Sequence, residues 1–481
     1  MAFAFLLLYA LVIFGVGLIA ARRTPDSFYV NNRESGAWGV GVSIFVSCVG
    51  ASATIGVIGM AFAVGTPAFW WLGAGAAGLV LLSLALARKV RQSGAYTLPH
   101  MVETFLGPSV RPVISVVIVV AWLAILAAQF SALGGVIGSL TGLSHLLCLL
   151  IGLVLICGHT LGGQSAIMRT DRIQALLILS SLIVMLAWLT QHNPAWVGTV
   201  RMEAVNTAFP PKELLYFLVI VGANYVVCPM LFGRILSARN ERSARLGGLV
   251  GSAGIVLCST LIVAVGLACK GLIPDQTPQD EVLISVLGAV MPYWMQLVVS
   301  FALVSAIVSS ADSCLVTAAT VLSFDLLGKS RRRKTAEVAI PSVREEYARP
   351  AGTGSNPDTA RPSPVSLRRE WACVILLGVA GVMLSLWGKS ILGFLLMAYS
   401  VFACGVVMPV GIGLLLYGKR SIDPRFVYAA VVAGGLLGLT SALADNPLWS
   451  YAGIAVSGVL TLCGCAGGRK NAGSAEKFNF S

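Results

Sequence analysis

Apolar residues run along this chain in long blocks, and polar residues gather in short stretches between them. The blocks predict helices over 3–21, 36–64, 67–88, 110–141, 144–161, 166–190, 212–232, 245–270, 292–327, 369–388, 391–417, 425–443 and 447–466. A bilayer-crossing helix needs roughly 20 apolar residues, so the expected fold is an all-α membrane protein of about 13 transmembrane helices. An odd count puts the termini on opposite sides. The first block has no basic residue ahead of it and Arg22-Arg23 behind it, which reverses the flanks of a cleaved signal peptide and predicts a retained helix.

Charge then orients the helices, because cytoplasmic loops retain Lys and Arg. With the N-terminus outside and the C-terminus in the cytoplasm, only Arg201, Lys212, Lys270 and Lys389 of the 33 basic residues fall outside. Arg111 and Arg234 are counted among the cytoplasmic segments. The expected location is the inner (plasma) membrane of the cell. Residues 1–35 form an extra helix and the first cytoplasmic loop, 36–417 a ten-helix core, 418–466 two further helices and 467–481 a cytoplasmic tail. Inside the core, the loop 329–368 opens with Arg331-Arg332-Arg333-Lys334 and carries Pro341, Pro350, Pro357, Pro362 and Pro364. It has too few apolar residues to bury a core and is expected to be disordered. The stretch from Gln92 to Gly107 predicts a short amphipathic helix on the cytoplasmic surface, capped by Thr97 ahead of Pro99. The connection 192–211 is polar and external.

Composition agrees with lipid as the main solvent: 57% of the residues are hydrophobic, 11% are charged, and the mean hydropathy is +0.87. A soluble domain carries about 25% charged residues. The net charge of +13 invites a nucleic-acid reading, but the charges sit in loop clusters without interleaved aromatic residues, so no nucleic acid is expected as a partner. Eleven cysteines lie mostly alone in apolar runs, and Cys463 and Cys465 lack a second pair to complete a metal site.

Two helices carry interruptions in mid-membrane. The second contains Gly50, Ala51, Ser52, Ala53, Thr54 and Gly56 near its middle. Small residues allow close helix packing, and they equally allow an unwound turn whose freed carbonyls ligate an ion. The seventh contains Gly222-Ala223-Asn224 and Pro229, which weaken its hydrogen-bond ladder. Their separation by five helices is the expected mark of a 5+5 inverted repeat, helices two to six and seven to eleven. The ninth helix brings Ser305, Ser309, Ser310, Asp312, Ser313 and Thr317 into one span. Isolated serines bond their own helix; a cluster with a carboxylate is a functional candidate. Hydroxyls and carbonyls suit a hard cation such as sodium. A cage of neutral oxygens would leave the ion's charge to be driven by the membrane potential, roughly 2.3 kcal/mol per charge per 100 mV. Asp171 sits between Arg169 and Arg172 at the expected start of the sixth helix. There it is either a helix-terminal charge favoured by the dipole and paired with a neighbouring arginine, or part of an ion path.

At "AIVSSADSCLVTAATVLSFDLL", "GGQSAIMRTDRIQ" and "GASATIG", with weaker support from "TLPHMVETFLG" and "FGRILSARNERSAR", the sequence resembles the sodium/solute symporter family over residues 5–465. The resemblance implies the leucine-transporter-like inverted-repeat fold, with one extra helix before the ten-helix core and two after it. It implies sodium-coupled symport of a small organic solute, sodium as the coupling ion, no other cofactor, and a functional monomer. It places the sodium site on the carbonyls of Ala51, Thr54 and Ala306 and the hydroxyls of Ser309 and Ser310. Asp171 and Asp312 are then candidates for the ion's exit or a second cation. Proline-transporting members have an aspartate at the position of Ala53 and a glutamine-rich stretch where Pro229 and Gly233 stand here. These departures support neither proline nor a sugar, and leave an amino-acid-like solute or a carboxylate. Candidate solute contacts are Ser52, Ala53, Gln129, Asn224, Tyr225, Tyr399 and Phe402. Rival readings are a sensor or channel on the same fold, and an intramembrane protease using Ser52 with His145 or His159 as base.

Overall fold

The structure is a computed structural model that describes residues 9–15, 24–328, 365–388, 390–416 and 420–466. Helices fall on every predicted block: α1 (9–15), α2 (Ala37–Cys48 and Ser52–Val64), α3 (Thr66–Gln92), α4 (Val110–Thr141) and α5 (His145–Thr160). They continue with α6 (Gly163–His192), α7 (Pro211–Leu236), α8 (Glu241–Ala268) and α9 (Tyr293–Leu326). The last four are α10 (Val365–Ser385), α11 (Ile391–Leu416), α12 (Pro424–Ala444) and α13 (Leu448–Ala466). Among the described residues, nine are long and apolar enough to cross a membrane, or ten when the bent pair of α2 counts as one span. The apolar α5 is shorter, at 16 residues.

Several boundaries differ from expectation for local reasons. α8 begins at Glu241 rather than 245, because the Asn240 side chain accepts the Ser243 amide at 2.8 Å and caps the helix there. α6 begins at Gly163, three residues early, and α7 runs on to Leu236, four residues late. α10 begins at Val365, inside the stretch assigned to the disordered loop. The remainder of that loop, most of the expected first helix and the tail 467–481 lie outside the described residues.

Helix packing follows the small residues. Gly247 and Gly251 of α8 lie directly on Val40 and Ile44 of α2, where a side chain at either glycine would overlap its neighbour. This is a small-xxx-small seam, which lets two backbones approach without polar cost in lipid. Gly78 of α3 meets the Gly222 carbonyl of α7 in the same way. At the end expected to be cytoplasmic, the short helix Leu98–Leu106 forms as predicted, with Thr97 accepting the His100 amide at 3.1 Å. It is tied inward by Arg111, which donates to Glu103 at 2.5 Å and to Asp325 at 2.7 Å. Arg111 is therefore a buried tether at the start of α4 rather than a loop charge. α12 and α13 pack on one another at the edge of the bundle, against the middle of α11.

Candidate functional site

The site forms where α2 breaks. Its first arm ends at Cys48, Val49 leaves helical geometry (φ −99°, ψ 66°), and a wide turn at Ser52–Gly56 precedes the second arm, bent by 62° from the first. A side chain at Gly50 would overlap Ser310 of α9, so the absence of a Cβ brings the two backbones together at this point. The Ala51 amide, freed by the break, donates to Gln129 Oε1 of α4 at 3.0 Å. The expected freeing of the Thr54 carbonyl is only partial. It accepts the Val57 amide, while the Thr54 amide and hydroxyl both donate to the Gly50 carbonyl at 2.9 Å. In α7 the corresponding break falls at Val227–Cys228, just ahead of Pro229.

α9 supplies oxygen to this break. The Ser309 hydroxyl donates to Asp171 of α6 at 2.7 Å, and the Ser310 hydroxyl donates to the Ser47 carbonyl of α2 at 2.8 Å. Ala306, one turn earlier, is fully buried. Each serine has committed its single proton outward, and each oxygen keeps lone pairs for another partner.

Asp171 does not cap a helix. It lies more than two turns inside α6, fully buried, and accepts from the Ser43 hydroxyl as well as from Ser309. Its neighbours Arg169 and Arg172 are exposed. The cation that faces it is Arg234, whose Nη2 lies 3.9 Å from the carboxylate. Arg234 also corrects the charge count, because it is 1% exposed inside the second arm of α7 rather than in a cytoplasmic loop. Its Nη2 donates to Ser313 at 2.5 Å and Ser47 at 3.1 Å, and its Nε has no partner among the described residues. Ser43 and Ser47, four residues apart on one face of α2, thus join α6, α7 and α9. Sequence reasoning missed both serines and Arg234. The available signal was that Pro229 restarts a helix, which carries Arg234 inward.

Asp312 is held by other groups. It accepts from the Thr160 hydroxyl at 2.9 Å and bonds His159 Nδ1 of α5, whose Nε2 lies 3.2 Å from the Thr170 hydroxyl. His159 is thereby engaged away from Ser52, and His145 is exposed, so no Ser52–histidine pair forms among the described residues.

The solute candidates divide into two groups. Ser52 and Ala53 lie buried in the wide turn, and the Ser52 hydroxyl makes no hydrogen bond among the described residues. Tyr225 packs against Cys48 and Tyr399, Tyr399 stacks on Trp71 with centroids 6.2 Å apart, and Asn224 donates to the Tyr399 carbonyl at 3.1 Å. These side chains meet one another near the break in α7. Gln129 is committed to Ala51, and Phe402 turns to Trp122 of α4 at 5.3 Å. Trp71 was not anticipated from the sequence.

Comparison with known proteins places this geometry in context. A family model described as the sodium:solute symporter family matches residues 28–343. A protein named high-affinity choline transporter 1 of Drosophila melanogaster is 24% identical over 361 residues, which cover 70% of this chain and 58% of that protein. The sodium/pantothenate symporter of Haemophilus influenzae is 22% identical over 350 residues, 67% of this chain and 71% of the relative. The chain thus spans less than two thirds of the choline transporter's own length. Among solved structures, a sodium-coupled sialic acid symporter in a substrate-bound outward-open state superposes with a TM-score of 0.76 at 13% identity, covering 99% of this chain and 98% of that one. A nucleobase-cation-symport-1 family transporter, closed with bromovinylhydantoin bound, gives a TM-score of 0.59 at 13% identity over 92% and 94% of the two chains. The fold is the leucine-transporter-like one.

Proposed function

The chain belongs to the sodium:solute symporter family, a family of transporters and not of enzymes, and from that premise we propose that it carries a small organic solute into the cell by sodium-coupled alternating access. The observation that carries the reading is the pair Ser309 and Ser310. Both protons are committed to acceptors on α6 and α2, both oxygens keep lone pairs to offer, and the Ser310 side chain lies against Gly50 at the break. Sodium sits between these hydroxyls and the carbonyls of Ala51, Thr54 and Ala306. Asp171, which already bonds one of the hydroxyl ligands, receives the ion as it leaves toward the cytoplasm. Asp312, held by Thr160 and His159, is the second acidic candidate for the ion's exit or for a second cation.

In this reading α2–α6 and α7–α11 are the two inverted halves, α1 precedes them and α12–α13 follow. That arrangement makes thirteen spans with the N-terminus outside the plasma membrane, working as a monomer. The solute lies against Ser52, Ala53, Asn224, Tyr225 and Tyr399. Phenols, an amide and a hydroxyl favour an amino-acid-like or carboxylate solute over a sugar, whose many hydroxyls need more partners than this lining supplies. Names of relatives point to choline, pantothenate and sialic acid, and none of these transfers directly to a lining of this composition. The test is a screen of labelled amino acids, short carboxylates and sugars in proteoliposomes with and without a sodium gradient. Entry that ignores sodium for every solute that crosses overturns the proposal, and leaves a channel on this fold.

A further inference from the structure

A second site lies away from the helix breaks, where the end of α3 meets the start of α8. A cavity of about 410 Å³ opens there, lined by Arg88, Glu241, Arg242, Arg245, Leu246 and Leu249. Its one acidic side chain is already satisfied: Glu241 accepts from Arg88 at 2.8 Å and from Gln92 at 2.7 Å. Arg242 and Arg245 are exposed and have no ion-pair or hydrogen-bond partner among the described residues. The cavity therefore holds two uncompensated guanidinium groups. The N-terminus of the 28-residue α8 adds a positive helix dipole at the same end.

The residues below the arginines decide what kind of anion fits. Arg242, Arg245, Leu246 and Leu249 follow the i, i+3, i+4, i+7 spacing of one helix face. The exposed face continues along α8 through Ala253, Val256, Leu257 and Thr260. One stripe thus presents guanidinium groups at its end and apolar side chains along its length. A loop charge that only orients the chain does not need the cavity. A free phosphate or nucleotide would use the arginines and leave the leucines idle. An amphiphile with a negative head uses both.

We propose that this cleft binds an anionic phospholipid, its phosphate between Arg242 and Arg245 and one acyl chain along Leu246 and Leu249. Basic pockets between transmembrane helices on the cytoplasmic side have this chemistry. The site rests on the orientation given above only for the leaflet it faces; the binding is independent of transport.

The experiment uses the purified full chain in detergent, titrated with phosphatidylglycerol and separately with phosphatidylcholine, with bound lipid counted by native mass spectrometry. Saturable binding of phosphatidylglycerol and weak binding of phosphatidylcholine are expected; equal binding of the two overturns the proposal. Arg242→Gln and Arg245→Gln should each weaken phosphatidylglycerol about fivefold, and together about thirtyfold. The matched pair Arg169→Gln plus Arg425→Gln removes the same charge from exposed positions elsewhere and should bind as wild type. Equal loss in that control, or no loss in the Arg242/Arg245 pair, refutes the site. Displacement of the lipid by millimolar inorganic phosphate would also refute it, because the leucine stripe would then contribute nothing.

Discussion

Replacing Ser309 and Ser310 separately by alanine should divide two quantities that a merely structural pair would move together. Ser309 donates to a buried carboxylate at 2.7 Å, and a hydrogen bond to a charged group is worth about 1.5–3 kcal/mol. Ser310 donates to a helix carbonyl at 2.8 Å, a membrane hydroxyl bond worth about 0.6 kcal/mol. Without sodium, Ser309→Ala should lower the unfolding temperature clearly and Ser310→Ala barely. Sodium affinity should behave differently. Each substitution removes one oxygen of the proposed five, and a tenfold loss, about 1.4 kcal/mol, is expected for both. Solute affinity should fall with it, since coupling between two ligands is reciprocal. The assay is the sodium-dependent rise in unfolding temperature of purified protein, with N-methylglucamine holding ionic strength constant. Coincident sodium curves for wild type and both variants would refute the ion site. A sodium effect lost only in Ser309→Ala would reduce Ser310 to a packing role.

Gly50→Ala should abolish transport while the chain still inserts, because the added carbon overlaps Ser310; measurable uptake near the wild-type rate would contradict the close approach. Arg234→Gln should destabilise more than Arg234→Lys, since only lysine preserves the charge facing Asp171; comparison of their unfolding temperatures checks this. Cysteines placed at the exposed positions Ser93 and Gln276 in a cysteine-depleted background should label from opposite sides of the membrane, and labelling from one side would break the proposed orientation. Burial, assisted by Arg111, pushes His100 down to about 4, below its ordinary value near 6.5. The unfolded chain then binds a proton that the folded chain refuses, so stability should decline as pH falls from about 6.5 to about 4. His100→Gln should flatten that decline in unfolding temperatures measured across the range.

The interruptions in α2 and α7 were legible because their causes are local: small residues over 50–56, and Pro229, which cannot continue a ladder. The serine pair of α9 was legible as an excess of oxygen in an apolar span. Arg234 was not, because loop-charge counting treats a cation one turn inside a helix like one just outside it, and α7 ends four residues later than its apolar block. The helix-terminal alternative for Asp171 fails for a related reason. Its helix starts at Gly163, and its partners Ser43 and Ser309 are brought to it only by tertiary packing. The pairing of Asp312 with His159 joins two helices whose periodicity carries no record of which side chains meet. The basic cleft at α8 depends on a cap at Asn240 that exposes an extra turn.

The joint where α2, α6, α7 and α9 meet is built from short hydroxyls: Ser43, Ser47, Ser309, Ser310 and Ser313 around one guanidinium. Interlocked leucines would have to climb over one another for those helices to slide. A hydroxyl swivels about a single bond and is both donor and acceptor, so it can release one neighbour and take the next without a large barrier. The neutral bonds, Ser47 to Ser313 and Ser310 to the Ser47 carbonyl, are worth only about 0.6 kcal/mol each, whereas those to Asp171 and Arg234 are worth about 1.5–3 kcal/mol. The joint thus has a charged centre at Asp171 and Arg234, and a rim of neutral hydroxyl bonds that cost little to exchange.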